Sequence, residues 1–90
     1  MKINFSGKPL NDLDGKEIPG SDMGSIVGQT LVSGTEGDAI KLYELALRIK
    51  QGEVTLDTSD AELLERHVRE SKTLTILAKG QILLELKKAK

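Results

Sequence analysis

The chain has 90 residues, no cysteine, one Phe, one Tyr and a formal net charge of −1 at neutral pH. This length is enough for one hydrophobic core, so residues 1–90 predict a single domain, and the lack of cysteine excludes disulfides, thiolate metal sites and a cysteine nucleophile. No apolar run has the length of a signal peptide or a membrane span, so we expect a cytoplasmic protein.

Residues 1–20 predict a β-hairpin region. Short apolar positions are separated there by Gly and Pro, and the dipeptide Asp14-Gly15 favours a type I′ turn. Asp12 and Asp14 have the spacing that opens a calcium-binding EF-hand loop. The sixth and twelfth positions of that loop would be Glu17 and Met23, where Gly and Glu are required. A turn is therefore favoured over a metal site.

Residues 21–90 predict a helical region with about four helices. The first begins at a cap provided by Ser21 or Asp22 and extends to Leu31. Gly24 and Gly28 are four residues apart on this helix, a spacing that lets another helix approach closely.

Residues 38–52 predict a helix that is apolar on almost all sides, with Thr35 as its N-terminal cap and Gly52 at its end. Such a helix needs cover from other segments, so we expect it at the centre of the core, with Tyr43 as a buried aromatic residue. The loop before it, residues 34–37, is not a nucleotide-binding loop, because the Walker spacing and its Lys-Ser/Thr pair are missing.

Residues 53–57 alternate apolar and polar side chains and predict a short strand, available as a third strand beside the hairpin. Ser59 and Glu62 have the form of a capping box, which starts a helix that ends near Ser71. The sequence therefore predicts a mostly helical α+β fold, in which an N-terminal β-hairpin packs with about four helices.

The last predicted helix runs from about Thr73 to near the C-terminus and carries apolar residues on more than one face. Gly80 in its middle costs roughly 1 kcal/mol relative to Ala, so we expect a packing reason for it. The apolar surplus of this helix predicts contact with another chain. The candidate contact residues are Leu74, Leu77, Ile82, Leu83 and Leu86.

Candidate chemistry is sparse. His67 is the only histidine, and Glu70 and Ser71 lie three and four residues after it on the same predicted helix. Such pairs occur by chance in many helices, so a half-exposed structural histidine is favoured over a catalytic one. We therefore expect neither an enzyme nor a bound cofactor or metal.

Basic residues are concentrated at the C-terminal end. Residues 61–90 carry seven Lys and Arg against four Asp and Glu, whereas residues 1–60 carry six against ten. The alternative function is accordingly a small nucleic-acid-binding regulator that uses Arg66, Arg69 and Lys72. Interleaved glutamates and the shortage of aromatic side chains for base stacking disfavour this alternative.

Five strings of residues lie along most of the chain: Met1-Lys-Ile-Asn-Phe5, Lys8-Pro-Leu-Asn-Asp-Leu-Asp-Gly15, Gly37-Asp-Ala-Ile-Lys-Leu-Tyr-Glu-Leu-Ala46, Val54-Thr-Leu-Asp57 and Gly80-Gln-Ile-Leu83. Their order resembles a set of small proteins encoded by tailed phages and prophages. The resemblance implies a phage-type accessory or assembly factor in the host cytoplasm and transfers no functional residue. We therefore expect a non-enzymatic factor that acts through protein–protein contacts with a phage or host protein, or with itself through the C-terminal helix.

Overall fold

A computed structural model describes residues 1–35 and 37–89. Within these residues the fold is α+β and mostly helical, with an N-terminal hairpin, as the sequence predicts. Strand β1 (Lys2–Ile3) pairs with strand β2 (Val54–Thr55) in antiparallel register, with Lys2 opposite Thr55 and Ile3 opposite Val54. The predicted strand in residues 53–57 is thereby confirmed. In chain order the elements are β1 (Lys2–Ile3), α1 (Met23–Val32), α2 (Ala39–Gln51), β2 (Val54–Thr55), α3 (Thr58–Glu70) and α4 (Ile76–Ala89).

The N-terminal hairpin is formed by residues 10–18, and its turn differs from the predicted type. The backbone amide of Asp12 donates to the carbonyl of Lys16 at 2.8 Å. Gly15 has φ of +83°, but no residue other than glycine has positive φ in the described chain. A type I′ turn needs positive φ at Asp14 as well, so the turn is instead a longer loop with one left-handed glycine.

Three helices begin at an aspartate whose side chain accepts a hydrogen bond from a backbone amide in the first turn. These aspartates are Asp22 for α1, Asp38 for α2 and Asp57 for α3. The caps predicted at Thr35 and Ser59 are therefore wrong. A carboxylate both satisfies the free amides and interacts favourably with the positive end of the helix dipole, whereas a hydroxyl provides only the first of these contributions.

One hydrophobic core receives side chains from both strands and all four described helices. Helix α2 buries only one side, through Leu42, Leu45, Ala46 and Ile49, and ends at Gly52 as predicted. Its opposite side is exposed, with Ile40 at 72%, Tyr43 at 59% and Leu47 at 43% of their full exposure. The predictions of a helix covered on most sides and of a buried Tyr43 are therefore wrong, because α1 packs closely along α2 on one side only.

The glycines of α1 and α4 have different surroundings. A Cβ atom at Gly24 would lie 2.9 Å from the Cα atom of Ser6, and one at Gly28 would lie 3.5 Å from the carbonyl oxygen of Ala46. The N-terminal segment thus approaches Gly24, while α2 approaches Gly28. At Gly80, no atom of the described chain lies within 4 Å of the added Cβ. The packing reason expected for Gly80 is not found within the described residues.

This difference predicts opposite effects of the same substitution at two helical glycines. In dilute solution, Gly80→Ala raises the free energy of unfolding by about 0.5–1 kcal/mol, because alanine restricts the unfolded chain and favours the helix. Gly24→Ala lowers it by roughly 1–3 kcal/mol, because its methyl group overlaps the backbone of Ser6. Urea denaturation measures both values. Equal effects of the two substitutions would contradict the packing described.

The position of the α3 cap gives a second prediction. Asp57→Ala lowers the free energy of unfolding by about 1 kcal/mol, because the amide of Asp60 loses the acceptor that lies 2.7 Å away. The matched control Ser59→Ala removes a hydroxyl inside the helix and changes stability by less than about 0.5 kcal/mol. Thermal and urea denaturation distinguish the two residues. A larger loss for Ser59→Ala would restore the capping box as the start of α3.

Candidate protein-contact surface

Helix α4 buries one side and leaves the opposite side apolar. Ala78, Ile82 and Leu86 are core residues, each at most 5% exposed. Ile76 and Leu84 are exposed at 88% and 58%. A helix turns by about 100° per residue, so positions 76 and 84 lie on the side of the axis away from these three core positions.

Between Ile76 and Leu84 the exposed side of α4 carries no charged side chain, and the exposed Lys87 follows on the same side one turn later. Lys79 donates to the carbonyl oxygen of Arg69 at 3.1 Å, and Glu85 forms an ion pair with Lys8 at 2.9 Å. The two charged residues between positions 76 and 86 therefore contact neighbouring segments of the same chain. Gly80 is exposed, and Leu77 and Leu83 are half-buried. The five residues of this side, which we name the α4 face, are Ile76, Leu77, Gly80, Leu83 and Leu84.

The α4 face overlaps only partly with the contact residues expected from the sequence. Leu74, Leu77 and Leu83 are half-buried. Ile82 and Leu86 are 0% and 1% exposed, so they belong to the core of one chain and are not available to another. Sequence reasoning missed the two most exposed members, Ile76 and Leu84. Their spacing of four residues on either side of Gly80 is the signal that identifies them.

A second exposed apolar surface lies on α2. Ile40, Tyr43 and Leu47 follow each other at helical spacing on the side opposite the buried residues, and we name them the α2 stripe. Tyrosine provides a large apolar ring together with a hydroxyl group that can remain hydrated. Such a side chain suits a surface that is exposed to water in the free chain and buried in a complex. The stripe therefore has the composition of a contact surface and no role in the core.

Charged side chains border the α2 stripe. A shallow cavity of about 540 Å³ lies beside Leu47, and Asp60 of α3 is part of its lining. The Lys41 ammonium is 3.4 Å from one carboxylate oxygen of Asp60, and the Arg48 guanidinium is 3.6 Å from the other. These ion pairs link α2 to α3. The carboxylate of Asp60 thus already contacts two of the basic side chains of α2.

His67 lies half-buried at the edge of a polar groove of about 400 Å³, formed by the ends of α1 and α3. Its Nδ1 atom is 3.0 Å from the carbonyl oxygen of Leu63, one turn earlier in the same helix. The half-exposed position agrees with the sequence-based expectation. Within residues 1–35 and 37–89, no three His, Asp or Glu side chains lie close enough together to bind a metal ion.

Of the three basic residues named for the nucleic-acid alternative, two are exposed and the third already contacts a carboxylate. Arg66 and Lys72 are exposed, but the Arg69 guanidinium is 3.3 Å from the carboxylate of Glu65. An arginine that already contacts a carboxylate offers less charge to a phosphate. The structure therefore adds no contact that favours this alternative.

Comparison with known proteins gives no relative: no protein-family model, no curated protein and no solved structure matches the chain. Among the described residues, no helix combines the length and apolar content needed to cross a bilayer. The surfaces of the fold are consequently the basis for assigning a function.

The N-terminal segment is attached to α4 beside Leu84. The side chain of Gln81 accepts a hydrogen bond from the amide of Asn11 at 2.9 Å and donates one to its carbonyl oxygen at 2.7 Å. Next to it, Lys8 donates to Glu85 at 2.9 Å. This hydrogen bond, with the charges of Lys8 and Lys88, holds the pKa of Glu85 below its ordinary value of 4.5 despite partial burial.

The lowered pKa of Glu85 predicts a pH-dependent contribution to stability. Because the folded state lowers this pKa, the contribution is present above pH 4.5 and is lost as the pH falls through the folded-state value. Glu85→Gln should therefore lower the free energy of unfolding near pH 7, by up to about 1 kcal/mol for this partly exposed pair. At pH 3 the difference in stability between the variant and the natural chain should be smaller than at pH 7, because protonation of Glu85 removes this contribution.

Urea denaturation at the two pH values measures this difference. Glu53→Gln is the matched control, since Glu53 is exposed and forms no ion pair with another described residue. Its effect should be small and the same at both pH values. A Glu85→Gln effect that does not change between pH 7 and pH 3 contradicts the assigned contact with Lys8.

Proposed function

We propose that this chain is a non-enzymatic accessory or assembly factor that acts through protein–protein contacts. It associates with itself through α4 and binds a phage or host protein through α2. The resemblance of its sequence to small tailed-phage and prophage proteins supports this role and a location in the host cytoplasm.

The observation that carries the proposal is the α2 stripe. Ile40 and Tyr43, both more than half exposed, lie on the side of α2 farthest from the core and contribute little to folding. Single exposed apolar residues are common, but three at helical spacing on one side form a continuous patch. A tyrosine flanked by aliphatic residues is also typical of the residues that dominate binding energy in protein interfaces.

The charges around the stripe favour a protein over a nucleic acid as the bound molecule. Lys41 and Arg48 both contact Asp60, so two of the three basic residues of α2 are already partly neutralised, and only the exposed Lys50 adds a further positive charge beside the stripe. A phosphate backbone needs several accessible cations, whereas an apolar protein surface needs none. The partner should accordingly present an apolar groove or helix of its own.

Site-specific photocrosslinking tests the proposal. A benzophenone amino acid at position 43, in cells that contain the native partners, should give one discrete adduct with a protein. Excess natural chain should compete for this adduct, whereas the variant Ile40→Gln/Leu47→Gln should not. Glutamine is a good helix former, so this variant should keep the fold while losing the apolar surface.

Position 66 on α3 is the matched control, because Arg66 is exposed and lies outside the stripe. The proposal is contradicted if position 43 gives no more adduct than position 66, or if the glutamine variant competes as well as the natural chain. An adduct from position 66 that nuclease removes would favour the nucleic-acid alternative instead.

A further inference from the structure

Gly80 is the feature of α4 that the isolated chain leaves unexplained. It lies in the middle of the helix and is exposed, and an added Cβ would meet no atom within 4 Å. Glycine at such a position weakens a helix, and its usual compensation is the close approach of another backbone. No described residue makes that approach, so we look for the compensating contact in a second molecule.

The apolar residues of the α4 face are placed symmetrically along the helix on either side of Gly80. Ile76 and Leu84 lie four residues before and after Gly80, and Leu77 and Leu83 lie three residues before and after it. At 1.5 Å per residue the face extends about 6 Å to either side of the glycine. A surface of this kind is complementary to itself after a half-turn rotation.

We infer that the α4 face binds the α4 face of a second copy of this chain, with the helices antiparallel and a two-fold axis at Gly80. The rotation places the two glycines together and creates two identical apolar layers. Each layer contains Ile76 and Leu77 of one protomer and Leu83 and Leu84 of its partner. Such an interface is isologous, the commonest kind in soluble dimers.

The residues next to Gly80 do not obstruct the approach of a second α4 helix. Lys79 contacts the carbonyl oxygen of Arg69 at the end of α3, and Gln81 is hydrogen-bonded to Asn11 in the hairpin. The residues on either side of Gly80 are therefore held by two different segments, while the glycine itself lies exposed between them. The second helix needs to displace neither contact.

Charge also favours a second copy as the partner. The α4 face is uncharged between Ile76 and Leu84, since Lys79 contacts Arg69 within the chain, so an equally uncharged surface fits it best. One helix per protomer is a small interface compared with the roughly 800 Å² per partner of a typical stable complex. We therefore expect a reversible dimer with a dissociation constant in about the micromolar range.

The inference rests on the proposed self-association and specifies its geometry, which a pair of charge variants can test. In the antiparallel arrangement position 76 lies at the level of position 84 of the partner. Ile76→Glu/Leu84→Lys then brings opposite charges together at both ends and should dimerise. Ile76→Glu/Leu84→Glu brings like charges together and should raise the dissociation constant by at least about a hundredfold. Sedimentation equilibrium over a concentration series measures both.

Each outcome of this experiment bears on the inference. A dimer of the natural chain and of the Glu/Lys variant, with a monomeric Glu/Glu variant, supports it. A natural chain that stays monomeric at about 1 mM, far above the expected dissociation constant, overturns both the inference and the proposed self-association. If both variants dimerise as tightly as the natural chain, or if both are monomers, self-association stands but this geometry is wrong.

Substitution at the two-fold axis provides a second measurement. Gly80→Ala places two methyl groups where the helices meet and should weaken the dimer by about tenfold, although it leaves the monomer folded. The matched control is Gly34→Ala, at a loop glycine that also has open space around it. A Gly80→Ala dimer as tight as that of the control would overturn the close contact at Gly80.

Discussion

The packing of α1 against α2 is the contact around which the other elements are arranged. Residue 28 of α1 is a glycine, and the two helices lie so close there that an added Cβ atom would be 3.5 Å from the carbonyl oxygen of Ala46. Strands, α3 and α4 then complete the core from the remaining directions. A chain of 90 residues is too short to surround every helix, so each helix keeps a side that the described residues leave exposed.

What differs between the helices is the chemistry of the uncovered side. On α3 this side carries Glu65 and Arg69, which form an ion pair and remain well hydrated. On α2 and α4 it carries the α2 stripe and the α4 face. Separate helices hold these two surfaces, so the self-association that we propose for one of them would leave the other open to a second protein.

Local patterns in the sequence were sufficient for much of the fold, including the strand at residues 53–57, the helical region and the end of α2 at Gly52. The caps were not predictable with the same accuracy, because Thr35 and Asp38 are both acceptable caps three residues apart. Burial was harder still. Hydropathy identifies Tyr43 as a residue suited to a core, but only the packing of the other segments decides whether anything covers it.

For α4, the sequence predicted a contact helix, and two of the five residues that it named for this contact, Ile82 and Leu86, belong to the core. Three consecutive apolar residues, 82–84, cannot all face one core, and the structure buries only Ile82 fully. Glycine inside a helix is locally unfavourable, and Gly80 lies on the same side of α4 as the exposed Ile76 and Leu84. Gly24 is also a glycine inside a helix, and there the close approach of the Ser6 backbone explains why no side chain is present. On α4 the proposed dimer would supply the explanation, since unfavourable and exposed apolar residues that coincide on one surface are expected where selection acts on binding rather than on stability.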